Sequence, residues 1–169
     1  MLLDINLLLS TAQAITVTAP SSFVIDLAGV GTGVPDPNTF GTAATTIFGQ
    51  DIGIGDGVSP PNLLCVVTTT FVGGTSLQVQ LQSAPDTPTN TGTPGTYTTI
   101  VQTAAYATAV LVKGVKLAEF TIPPTPAGIT TFPRFYRLNY VVVGTYTAGT
   151  VQASIITGRD DQPAYPANF

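Results

Sequence analysis

Nine carboxylates, two glycine-rich loops, one cysteine and a pair of arginines within an apolar run are the groups of this 169-residue chain that could carry chemistry. No histidine is present. That removes the commonest general base, the Ser-His and Cys-His nucleophile pairs, and the commonest transition-metal ligand. A glycosidase needs only two carboxylates flanking a scissile bond, and Asp4, Asp26, Asp36, Asp51, Asp56, Asp86, Glu119, Asp160 and Asp161 are the candidates. Most lie in turn-like sequence, where Asp commonly bonds its own backbone, and Asp160–Asp161 stands beside Arg159. No acid/base pair is picked out, and the chain is not expected to be an enzyme.

The loops "GVGTGVP" (29–35) and "GIGDGVS" (53–59) offer alternating glycines. Neither has the G-x-G-x-x-G spacing, runs into Gly-Lys-Ser/Thr, or opens a helix, so they read as turns and bulges and not as phosphate cradles. Asp51 and Asp56 flank "IGIG", but two carboxylates five apart do not match a calcium loop. Cys65 stands alone, which excludes an internal disulfide framework and a multi-cysteine metal site. Within "NLLCVVTTTF" it reads as a small buried hydrophobe. No cofactor and no metal are expected.

The stretch "FPRFYRLNYVVVG" (132–144) holds two of the five positive charges. In a regular strand Arg134, Tyr136, Leu138 and Tyr140 face one way, and Phe135, Arg137, Asn139 and Val141 the other. The two arginines cannot then form a single clamp. Each guanidinium suits paired hydrogen bonds and stacking on aromatics, within the subunit or across an interface.

The elements that must position these residues are strands. "SLQVQLQSA" (76–84) alternates Leu77, Val79 and Leu81 with Gln78, Gln80 and Gln82, one face buried and the other wet or docked. Noisier alternation predicts strands at 14–19, 21–27, 63–71, 96–102, 115–123, 134–142 and 150–157. Gly, Pro, Asn and Thr clusters separate them, and no segment has a helical period with caps. The expected fold is all-β: one domain, an antiparallel jelly-roll β-sandwich of about eight strands. Two connections exceed ordinary loop length. One runs over 28–62, with Phe40, Ile47 and Phe48 as apolar anchors; the other is "SAPDTPTNTGTPGT". Residues 1–13, with Leu2, Leu3 and Ile5, and residues 158–169, with Tyr165 and Phe169, read as terminal arms that pack back on the domain or dock on a neighbour. Removal of residues 1–9 is expected to leave the β core folded.

Composition narrows the function further. Charged residues are 8% of the chain against about 25% in typical soluble domains, and Thr-rich segments take over the surface. A neutral, hydroxyl-coated exterior lacks the mixed charge that keeps monomers apart. The net charge of −4 and the lack of a basic stripe argue against nucleic acid. The apolar start is broken by Asp4 and Asn6 without a basic flank, which argues against a cleaved signal, and no apolar run is long enough to span a membrane.

The blocks "MLLDINLLLSTAQAITVTA…VIDLAG", "DIGIGDG", "SLQVQLQSAPD" and "FYRLNYVVVGTYTAGTVQASI" occur in an order that resembles the Bbp16-like capsid cement (decoration) proteins of tailed bacteriophages. The longer Gly/Pro-rich 28–62 segment is where the chain departs from that pattern. The resemblance implies a jelly roll on the outer surface of a shell of HK97-fold major capsid protein. It would be made in the host bacterial cytoplasm and self-associate as a homodimer or homotrimer that bridges capsomers, with no catalytic residues, nucleic acid or membrane partner. On that reading the expected interface residues are Leu2, Leu3, Ile5, Phe40, Phe48, Arg134, Tyr136, Arg137, Tyr140, Tyr165 and Phe169. The alternative is a carbohydrate- or surface-binding β-sandwich module of adhesin type, which would need an aromatic platform or a calcium cluster.

Overall fold

The computed structural model describes residues 7–27, 61–87, 92–122 and 133–157. Along them run β1 (Leu8–Ala14), β2 (Ala19–Pro20), β3 (Ile25–Asp26), β4 (Pro61–Gly73), β5 (Ser76–Ala84), β6 (Thr98–Gln102), β7 (Tyr106–Ala107), β8 (Lys116–Thr121), β9 (Phe135–Val143) and β10 (Tyr146–Thr157), with one 3-10 turn at Thr108–Val110. They form two sheets, ordered β1-β10-β4-β8 and β2-β9-β5-β6, with β3 also beside β9 and β7 beside β5. Every pairing is antiparallel. The chain is all-β, and its two sheets face each other across one core.

Period-two alternation builds that core. Leu63, Cys65, Val67 and Phe71 on β4 and Val151, Ala153 and Ile155 on β10 meet Leu77, Val79 and Leu81 on β5 and Tyr136, Leu138 and Tyr140 on β9, all buried. Each large side chain so enclosed contributes about 1.5–3 kcal/mol of transfer free energy. At one end the rings of Phe71 and Tyr146 meet edge to face, with centroids 4.9 Å apart. Two glycines make room for them. A Cβ on Gly74 (φ +59°) would lie 2.5 Å from the Tyr146 ring, and one on Gly149 (φ +139°) 2.3 Å from that of Phe71.

One buried polar chain crosses between the sheets. Tyr140 of β9 lies within hydrogen-bonding reach of Cys65 of β4, and its hydroxyl is 2.8 Å from Ser10 Oγ of β1. Ser10 donates in turn to Gln13 Oε1 at 2.7 Å. Gln13 Oε1 also accepts from Ser22 N, and its amide nitrogen donates to Pro20 O, so β1 is tied to the segment carrying β2. A phenol inside an apolar core needs such a partner, because an unpaired one costs about 1–3 kcal/mol. Burial pushes the Cys65 thiol up to about 12 and the Tyr140 phenol well above its ordinary value.

Several expected boundaries shift. The strand expected at 14–19 is instead β1, starting at Leu8, followed by a bend and the two-residue β2. The register of β1 against β10 slips between Leu8 and Ser10 and again between Ser10 and Gln13, and Ala12 sits at φ +42°. A bulged strand loses strict alternation, which is why the pattern misplaced it. The expected arm over 1–13 therefore ends before Leu8: the free edge of β10 is paired by β1, and Leu9 is fully buried. Removing residues 1–9 would take out a core side chain, contrary to expectation. Within 21–27 only Ile25–Asp26 joins the ladder. The 28–62 connection gives up Pro61 and Asn62 to β4, while 28–60 and the 158–169 arm lie outside the described residues. β7 was not anticipated.

These contacts set three expectations for thermal or urea unfolding. Gly149→Ala drives a methyl into Phe71 and should cost about 1–3 kcal/mol, whereas Ala12→Gly, which relieves a left-handed alanine, should be neutral or mildly stabilising. Wild-type stability should hold below pH 9, then fall as pH rises. The unfolded chain ionises its thiol near 9.0 while the folded thiol stays protonated, a slope of about 1.4 kcal/mol per pH unit for that group.

Candidate interaction surface

Arg134 immediately precedes β9, and its backbone nitrogen donates to Ala84 O at the end of β5. Its side chain forks onto Asp26, Nε to Oδ1 at 2.7 Å and Nη2 to Oδ2 at 2.9 Å. Nη1 binds Asp86 Oδ2, and the guanidinium lies 4.9 Å from the Phe135 ring centroid. One fork thus joins β3, the segment after β5 and the start of β9. The carboxylates, Asp26 first, hold the Arg134 guanidinium more firmly charged than usual. At about a tenth exposure this group closes one end of the six-stranded sheet and is not available to a partner as expected. Asp86 also accepts from Thr93 N at 3.1 Å, and a bridge to Pro94 zips the base of the following loop.

Arg137 lies on the other face, as alternation predicts. Its Nε donates to Gln82 Oε1 at 3.0 Å, and its guanidinium stacks 3.6 Å from the Tyr97 ring centroid. Beside it runs a row of amides. Asn139 donates to Gln80 Oε1 and Gln80 to Gln102 Oε1, both at 3.0 Å. Gln78 donates to Thr103 O at 2.8 Å, and Gln82 to Thr99 Oγ1 at 3.4 Å. The outer face of β9-β5-β6 is thus a laterally bonded field of amides with one stacked cation. Such groups can donate and accept hydrogen bonds across an interface. Among the described residues no group of three His, Cys, Asp or Glu is placed to hold a metal ion, and no helix is long and apolar enough to cross a membrane.

Tyr136 and Tyr140 correct another expectation. They share the face of Leu138 and are buried within the sandwich, so they serve the core and present nothing to a neighbour. Leu2, Leu3, Ile5, Phe40, Phe48, Tyr165 and Phe169 lie outside the described residues. The glutamine row was half visible in "SLQVQLQ"; Tyr97 and Gln102 were not, because only folding brings β6 beside β5.

The arginine fork, the amide face and the core all fall within residues 9–155, the span matched by the family model for Bbp16. The chain belongs to the Bbp16 family. That match begins inside β1 and ends near the close of β10, so what the Bbp16 family shares with this chain takes in both sheets and leaves out Leu2, Leu3, Ile5, Tyr165 and Phe169. No curated protein matched the chain.

Replacing the two arginines separates structure from surface. Arg134→Met strands two carboxylates near one another and should cost about 3 kcal/mol at neutral pH. Arg137→Ala, on a half-exposed face, should cost under about 1 kcal/mol; equal losses in urea titrations of the two variants would contradict this assignment.

Proposed function

We propose that this Bbp16-family chain is a capsid cement protein of a tailed bacteriophage, a non-enzymatic virion component. It is made in the host cytoplasm and binds the outer surface of a shell of HK97-fold major capsid protein, self-associating as a dimer or trimer to bridge capsomers. The observation that carries the reading is the family match over residues 9–155. The strand order supports it. With β2/β3 and β6/β7 each counted as one strand, the sheets run first-eighth-third-sixth and second-seventh-fourth-fifth, the order a jelly roll has, and we read the sandwich as one.

Physical reasoning favours adhesion for such a surface. Uncharged amides and hydroxyls cost less to remove from water than ions do, so the amide row can be covered by a partner at modest cost, with Arg137, stacked on Tyr97, the charge left to be matched. Many weak copies on one particle add by multivalency, which suits a shell that internal pressure tends to open. The glycan-binding alternative needs an aromatic platform or a calcium cluster. Tyr97 is capped by Arg137, Tyr106 packs partly against the core, and Tyr136, Tyr140 and Tyr146 are buried, which leaves Phe23 as the one exposed aromatic among the described residues.

Heads assembled without the chain should release DNA at lower temperature and survive osmotic shock less often, and adding the purified protein back should restore both. Unchanged heat and shock resistance of the depleted heads would end the cement reading.

A further inference from the structure

Exposed valines collect at one end of the sandwich. Val72 precedes the turn between β4 and β5, Val143 that between β9 and β10, Val17 stands in the bend between β1 and β2, and Val110 and Val112 flank Leu111; all five are 45–55% exposed. Backbone bonds hold their segments together: Thr75 N to Val143 O at 2.8 Å, Tyr146 N to Thr16 O at 2.9 Å, Phe71 N to Leu111 O at 3.0 Å and Thr108 N to Thr75 O at 3.1 Å. Val72 follows the buried Phe71 and Val143 follows the core-packed Val142, so alternation turns these two to the outer flanks of opposite sheets.

The described segments at this end are nearly free of charge. Segments 14–19, 70–77, 104–115 and 142–148 contain no Asp or Glu. Lys113, exposed next to Val112, forms no ion pair among the described residues. Lys113 is the one charged residue of these four segments. Lys116, by contrast, is paired with Glu119 at 3.2 Å.

We propose that this valine-rimmed end is what seats on the shell protein, entering an apolar recess that presents a carboxylate to Lys113; the inference rests on the cement reading above. A tip apolar on both flanks suits a recess, such as the seam between two shell subunits, where flat ground would cover one flank only. Exposed apolar clusters of this kind mark contact sites. A second copy of the same end is the poorer occupant, because it would bring Lys113 against Lys113, and juxtaposed like charges oppose association. A shell carboxylate turns the same lysine into an attractive, salt-sensitive contact.

The test titrates the full chain onto shells assembled from the major capsid protein alone. Val72→Thr with Val143→Thr keeps β-branching and shape while replacing methyls by hydroxyls, and should weaken binding about tenfold. Lys113→Glu should weaken it at least as much and reverse its salt dependence, added salt now relieving a repulsion, while Lys113→Arg should bind as wild type does. Melting temperature and sedimentation of each variant accompany the titration. Weaker shell binding with melting and self-association unchanged supports the assignment. Variants that melt as wild type and bind equally well overturn it and leave the cement reading standing. Joint loss of self-association and shell binding overturns it in favour of a copy-to-copy contact. Should wild type itself fail to bind bare shells, the cement reading falls and the seating inference with it.

Discussion

The contact between the two sheets is what the rest of the molecule depends on. Each sheet offers one face of alternate apolar residues, and neither can keep that face from water alone. Once Leu77, Val79 and Leu81 are laid against Leu63, Cys65 and Val67, the register of every strand is set, because a slip by one residue would send a whole apolar row outwards. The Tyr140 hydroxyl adds direction to an otherwise greasy contact. Bonded to Ser10 and within reach of Cys65, it marks one place where β9 must meet β1 and β4.

Sealing the inner faces leaves the outer faces to be covered, and on β9-β5-β6 this chain lays a row of amides there. Cross-strand bonds between Gln80, Gln102 and Asn139 hold those side chains in place, so part of their ordering cost has already been met before a partner arrives. Charge is kept for particular tasks. Arg134 joins three segments that are far apart in the chain, Arg137 caps Tyr97, and Lys113 stands among described segments that hold no acid.

How much of this was legible beforehand depended on locality. β5 was read at its true limits, since a clean Leu/Val and Gln alternation is local information, and the opposed faces of β9 followed from the same rule. β1 was misplaced because the bulge around Ala12 breaks the period that the rule needs. Tyr136 and Tyr140 were taken for contact groups because Tyr is common at interfaces, although sharing a face with Leu138 already pointed inwards. The Arg134 fork was out of reach: Asp26 lies 108 residues away, and nothing in a linear reading joins the two. The valine end was equally hidden, since its five residues come from four separate segments that only the hairpins and the bend bring together. The family blocks, by contrast, lay in order along the chain, and the match over residues 9–155 agrees with them.

The central claim is that the chain works as an adhesive between shell subunits. Imaging the parent particle by electron microscopy, with and without this chain, tests it most directly. The account predicts additional sandwich-sized density on the outside of the shell, straddling neighbouring capsomers and vanishing when the chain is omitted. Identical particle surfaces in the two preparations, with the chain recovered only as free protein, would contradict it.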